Sequence, residues 1–189
     1  MRGAAPIEVM KPTADAWSDV EQLFGRAGAS NGCWCQYWLL GADYTRRDRT
    51  QNETDLQTQI HRGGAGLVAY GDGEPVGWTR FTPRTDLNWL LDRFAKYDFG
   101  RDDVWSLSCF FVARRARGQG VMTTLIDYAT SWGHDHDTVI EAYPIDTTVH
   151  GATVNTFPGI LQTFLNAGFS EQGRLARDRA VVVSGQSQA

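Results

Sequence analysis

The stretch Arg115-Ala116-Arg117-Gly118-Gln119-Gly120 carries residue types suited to binding a phosphate. A turn of small residues between a buried strand and a helix start leaves backbone N–H groups unpaired and pointing outward, and the helix dipole adds positive potential there. Side chains at 118 and 120 would hold a diphosphate away from those donors, and Arg115 and Arg117 can add charge. The same segment also reads as a plain loop before a helix. Neither of two common nucleotide motifs fits: no Lys followed by Ser or Thr comes after the second glycine, and there is no three-glycine dinucleotide fingerprint.

Three further groups have chemical content. Glu141 is a carboxylate in an otherwise apolar run, costly to bury unless it faces a polar site as a base or pairs with an arginine. In the block Cys33-Trp34-Cys35-Gln36-Tyr37-Trp38, the rings of Trp34, Tyr37 and Trp38 offer flat apolar surface and attract cations, and they serve core packing equally well. Cys33 and Cys35 with His134, His136 or His150 lack the paired spacing of a zinc site, so no metal is expected. Cys109 reads as buried apolar filler rather than a nucleophile, and all three cysteines are expected reduced. The run His134-Asp135-His136-Asp137 reads as a solvated loop.

The elements that must position these groups follow from periodicity. Ile7 to Met10 reads as a strand, and Thr13 as a cap for a helix carrying Trp17, Val20, Leu23 and Phe24 on one face, with Gly25 and Gly28 as stops. A weak helix places Leu56 and Ile60 together. Leu67 to Tyr70, the turn Gly71-Asp72-Gly73-Glu74, and Val76 to Phe81 form a hairpin. Leu87, Leu90, Leu91 and Phe94 imply an inserted helix, and Val104 to Val112 a central strand. The glycine turn leads into a helix whose inward stripe is Leu125, Ile126, Ala129 and Trp132, ending at Gly133. A parallel strand returns at Thr138 to Tyr143 and stops at Pro144. Pro158 opens a last helix with Ile160, Leu161, Phe164 and Leu165 on its apolar face and Gly168 at its end. Phe169 onward and Ala180 to Val183 supply the final strands, and 184–189 a frayed tail after a single domain over 1–183.

Val112, the spaced Arg115-x-x-Gly118-x-Gly120 and the helix from Val121 resemble the acetyl-CoA signature of the GNAT superfamily of N-acetyltransferases, and Ala167-Gly168-Phe169 is similar to that family's closing helix-to-strand turn. The resemblance implies an α/β (α+β) fold: a mixed, mostly antiparallel sheet of six to seven strands, helices on both faces, and a splay between strands four and five. It implies acetyl-CoA as cofactor, with the pantetheine arm in the splay against backbone near Phe111 and Val112, and the pyrophosphate on Arg117, Gly118, Gln119, Gly120, Val121 and Met122. The implied activity is acetyl transfer to a primary amine of a small molecule by direct attack in a ternary complex. The alternatives are a CoA- or ligand-binding module without turnover and a protein or peptide N-acetyltransferase. Many members place a Tyr eight residues after an Asn in the last helix to protonate the leaving sulfur; here those positions read Thr156 and Phe164. Tyr143 is therefore the expected acid, Glu141 the expected base, and Trp34, Tyr37 and Trp38 the expected acceptor wall.

Bulk composition agrees with an enzyme-sized core. At 189 residues, 42% hydrophobic and 21% charged, the chain matches soluble globular domains rather than disorder or coiled coil. A net charge of −4 argues against nucleic acid as the main ligand despite the small arginine clusters at 46, 47 and 49 and at 114, 115 and 117. No apolar run is long enough to span a membrane, and a start without a signal peptide makes the cytoplasm the expected address. A homodimer stays open.

Overall fold

The computed structural model describes residues 6–185. β1 (Glu8–Met10) leads to α1 (Trp17–Phe24), which buries Val20, Leu23 and Phe24. Thr13 makes no capping bond; a 3-10 turn over Ala14–Ala16 precedes the helix instead. The short α2 (Tyr37–Leu40) begins within the aromatic block, at its last two residues. α3 (Arg49–His61) is capped by Asp48, whose carboxylate accepts from the Thr50 N–H at 3.0 Å, and buries Leu56 and Ile60.

β2 (Gly66–Gly71) and β3 (Glu74–Pro83) form the expected hairpin. Asp72 and Gly73 both take positive φ, 52° and 77°, which matches the right-handed strand twist in a two-residue turn. α4 (Asn88–Arg93) is the inserted helix, and β4 (Val104–Val112) has the expected bounds.

α5 (Val121–Asp135) runs past Gly133, so that glycine is not its stop. It is a packing site: a Cβ there would lie 2.9 Å from the Thr138 carbonyl and 3.0 Å from the Ile140 side chain. β5 (Val139–Ala142) returns parallel to β4. The last helix, α6 (Leu161–Asn166), starts after Pro158 rather than at it, because Gly159 holds φ at 92° and Ile160 is extended. Leu161 and Phe164 are buried on α6, while Leu165 is exposed and off the apolar face. β6 (Ser170–Ala176) and β7 (Arg179–Val183) close the chain.

Among the described residues the sheet has seven strands in the order β1-β2-β3-β4-β5-β7-β6, antiparallel except for β4 with β5. Alternation along the strands divides two cores. Leu67, Ala69, Ile140, Ala142 and Val182 face α5 and α6, whereas Val68, Trp78, Cys109, Tyr143 and Val181 face α1 to α4. Ser184 corrects the expected frayed start of the tail. It is buried, its N–H donates to the Ile140 carbonyl at 2.8 Å, and its Oγ accepts from the Ile140 N–H at 3.0 Å. Residues 186–189 of the expected tail lie outside the described residues. No helix among the described residues is long and apolar enough to cross a membrane.

Candidate active site

β4 and β5 pair only from Val104 to Leu107, opposite Val139 to Ala142, and then part. β5 ends, and the chain swings out to Ile145, which bridges Ile160 and Arg179 instead. The second half of β4 therefore has β3 on one side and a gap on the other. Ala113 donates its N–H to the Val76 carbonyl at 2.9 Å, and strand alternation then turns the Val112 and Phe110 backbone groups toward the gap. Two groups there are already taken: the Ser108 carbonyl accepts from the Trp38 indole, and the Phe110 N–H donates to the Phe157 carbonyl at 2.6 Å. Among the described residues, no acceptor takes the Val112 N–H, which faces the gap.

The gap opens into a cavity of about 810 Å³, within the range of small-molecule and cofactor sites. One wall is the loop between β4 and α5. Gly118 and Gly120 take φ of 75° and 81°, and a Cβ on either would meet nothing within 4 Å. The left-handed backbone selects glycine there, and the bare surface lets a ligand approach. Among the described residues, no acceptor takes the N–H groups of Gly118, Gln119, Gly120, Val121, Met122 or Thr123, while the Thr124 N–H closes the first helical bond to Gly120. Six consecutive donors at the positive end of a 15-residue helix make an anion cradle.

Of the residues expected to hold a cofactor, Phe111, Val112, Arg117, Gly118, Gly120, Val121 and Met122 line this cavity together. Gln119 does not: its side-chain amide folds back to the Arg115 carbonyl at 2.9 Å. Arg117 donates to the Val112 carbonyl at 3.3 Å and lies at the rim, whereas Arg115 is drawn off to the Pro75 carbonyl at 3.0 Å. Thr156, at the position where many GNAT members have Asn, also lines it, as do Ser30, Asn155, Phe157 and Thr163, which no motif marks in the sequence.

A smaller, more enclosed cavity of about 140 Å³ shares Ala29, Ser30, Phe110, Phe111, Asn155 and Phe157 with the larger one. Its remaining walls are Asn31, Cys33, Cys35, Tyr37, Tyr44 and Cys109. Among the described residues, no carboxylate or imidazole lines either cavity. Of the three rings expected at the acceptor wall, Tyr37 alone lines the smaller cavity, its ring edge-on to Phe157 at 5.1 Å between centroids. Trp34 and Trp38 are core residues: Trp34 stacks on Trp17 at 5.7 Å over Gly28, and Trp38 packs on Tyr143 at 5.5 Å. Phe164 is buried between Phe110 and Phe169 and lines neither cavity.

Glu141 and Tyr143 also lie outside both cavities. The Glu141 carboxylate accepts from the Tyr143 hydroxyl at 2.6 Å and from Arg84 Nη1 at 3.0 Å, and Ser106 Oγ lies 2.9 Å from the Tyr143 hydroxyl. Arg84 extends the network to the Arg101 carbonyl and the Asp102 carboxylate. Burial raises the Glu141 pKa, against the opposing pull of Tyr143 and Arg84; burial and the neighbouring carboxylate push the Tyr143 phenol well above its usual range. The geometry is that of a buried ion pair fastening the segment before α4 to β5.

Residues 34–151, more than half of the chain, match a family model described as the acetyltransferase (GNAT) family. Solved structures share the fold. A histone acetyltransferase HPA2 and related acetyltransferase from Corynebacterium glutamicum aligns with TM-score 0.60 at 19% identity, over 97% of this chain and 98% of that one. A mosquito arylalkylamine N-acetyltransferase like 5b aligns with TM-score 0.62 at 11% identity, over 95% and 99%. The PaiA N-acetyltransferase from Thermoplasma acidophilum, solved in complex with coenzyme A, aligns with TM-score 0.55 at 11% identity, over 95% and 98%. Among curated proteins none matches by sequence.

Proposed function

Because the chain belongs to the acetyltransferase (GNAT) family, we propose that it moves an acetyl group from acetyl-CoA to a primary amine of a small molecule, by direct attack while both are bound. The carrying observation is the pair of cavities that meet at Phe110, Phe111 and Phe157, one against an anion cradle and the other enclosed. The residues fit the cofactor: six free N–H donors suit a diphosphate, and the open edge of β4 suits an extended amide arm. When bound, acetyl-CoA supplies an activated thioester.

Gly118 to Thr123 and Arg117 hold the diphosphate, and the Val112 N–H orients the arm. The smaller cavity seats the acceptor; its enclosure by Tyr37, Tyr44 and Phe157 favours a compact amine over an extended peptide. With no carboxylate or imidazole among the described lining residues, the ammonium proton leaves to solvent by way of the adjoining larger cavity, and Tyr37 is the hydroxyl we assign to protonate the departing sulfur. Glu141 and Tyr143 then hold the fold rather than move protons. A binding module without turnover is the second reading, favoured by the absence of a hydroxyl at Phe164.

Calorimetry with CoA tests the cradle. Gly120→Val forces a β-branched residue into φ 81° and covers the donors. Losing two charge-assisted hydrogen bonds, at about 1.5–3 kcal/mol each, weakens binding by roughly 100-fold or more. Unchanged affinity would remove the diphosphate from this helix. Thiol release from acetyl-CoA over an amine panel separates the readings: tight CoA binding with no transfer favours the second.

A further inference from the structure

The enclosed cavity carries a feature that acetyl transfer does not use. Cys35, in the loop before α2, and Cys109, on the half of β4 that has parted from β5, meet from 74 residues apart with their sulfurs 3.1 Å from each other. Both thiols are buried in the core yet line the cavity wall. Behind them lies Arg80, fully buried, with Nε donating to the Cys35 carbonyl at 2.9 Å and Nη2 to Gln59 at 2.8 Å. Among the described residues no carboxylate lies within ion-pairing distance of this guanidinium. A buried cation with neutral partners alone is costly, and the Cys35 and Cys109 thiols are acidic groups whose charge it would offset.

We propose that Cys35 and Cys109 are a redox-active dithiol, which reacts with a low-molecular-weight disulfide entering the acceptor cavity and closes to an intramolecular disulfide. Cys35 is the attacking sulfur. Burial pushes its thiol up, but the hydrogen bond with Cys109 and the charge of Arg80, which also holds the Cys35 carbonyl, outweigh burial, and the net direction is down. Cys109 is driven the other way, by the same hydrogen bond and by burial. Cys33 lines the same cavity, but its thiol is raised to about 11, first by burial, and it stands outside the pair.

The balance is complete. The Cys35 thiolate attacks one sulfur of R–S–S–R, forming Cys35–S–S–R and releasing R–S⁻. Cys109 then loses its proton and attacks the Cys35 sulfur, forming the protein disulfide and releasing a second R–S⁻. Two electrons pass from the dithiol to the small disulfide, and the two thiol protons end on two molecules of R–SH. A disulfide needs sulfurs about 2.05 Å apart, so the pair must close by roughly 1 Å. That movement draws the Cys35 loop onto β4 and reshapes the acceptor wall, away from the anion cradle.

The test uses thiol chemistry and is independent of acetyl transfer. Reduced protein is incubated in parallel with hydroxyethyl disulfide and with CoA disulfide, denatured in an alkylating reagent, and mapped by peptide mass spectrometry. Alkylatable cysteines should fall from three to one, with Cys33 alkylated and the Cys35 and Cys109 peptides joined. Reaction with hydroxyethyl disulfide alone would mark entry through the acceptor side; reaction with CoA disulfide as well would mark entry along the larger cavity. Cys109→Ser should trap the R–S adduct on Cys35, and Cys35→Ser should leave Cys109 unmodified. Three alkylated cysteines with both reagents, or a bridge or adduct on Cys33, would overturn the assignment.

Discussion

Replacing Glu141 by Gln separates a proton-moving role from a structural one. The carboxylate is 2% exposed and meets Arg84, itself 1% exposed. The other acidic partner of Arg84, Asp102, has a side chain that is 91% exposed and screened by solvent, so it cannot replace Glu141. Removing one member of a buried ion pair costs about 3–5 kcal/mol; the amide still fills the space and can accept one hydrogen bond, which places Glu141→Gln near the lower end, about 3 kcal/mol. For a chain of this size that lowers Tm by roughly 6–12 °C. Thermal and urea unfolding read this directly. Acetyl transfer per folded molecule, measured well below the transition, should stay within a few-fold of wild type. A base in the reaction would behave in the opposite way, with turnover down by about 100-fold or more and little change in Tm. That pattern would refute the structural assignment.

Burial makes folded Glu141 hold its proton more tightly than the unfolded chain does. The part of its contribution to stability that is linked to this proton is therefore full below the ordinary carboxylate pKa and is lost as pH rises through the folded value, separately from what the contact with Arg84 contributes. The difference in urea midpoint between wild type and Glu141→Gln should change with pH across that window. Tyr37→Phe should lower kcat while leaving the CoA Kd unchanged; equal kcat would remove Tyr37 from the reaction. Gly77→Ala places a Cβ 2.4 Å from Val121 Cγ1, so it should shift the start of α5, cost about 1–3 kcal/mol by urea melts and weaken CoA binding as well. Trp38→Phe deletes the indole bond to the Ser108 carbonyl and should cost about 1–3 kcal/mol by the same melts, with a smaller loss if water reaches that carbonyl.

The β2–β3 hairpin, β4, the glycine turn and α5 were legible because each is a local signal: an Asp-Gly pair between apolar runs, nine residues of β-forming character, a loop of small residues before an apolar helical stripe. Gly133 misleads for a physical reason. A glycine near a helix end reads as a stop, but here it is required by the close approach of Thr138 and Ile140 from the returning strand. Pro158 misleads in the same way, since Gly159 keeps the next residues out of the helix. The candidate site divides likewise. The cradle is contiguous in sequence and could be read, whereas the partner of Glu141 is 57 residues away and that of Cys35 is 74 residues away, so their pairing was invisible to spacing. Trp34 and Trp38 carry the same residue type as a binding wall, and only the fold decides that they are core.

Phe157 gives the open strand edge a resident competitor. Its carbonyl already occupies the Phe110 N–H, so an incoming amide that sought that donor would exchange one hydrogen bond for another and gain almost nothing there. The rim segment and the guest bid for a single contact point. Changes that stiffen residues 155–159 should therefore loosen the guest, and changes that slacken them should tighten it, without touching any atom of the cradle.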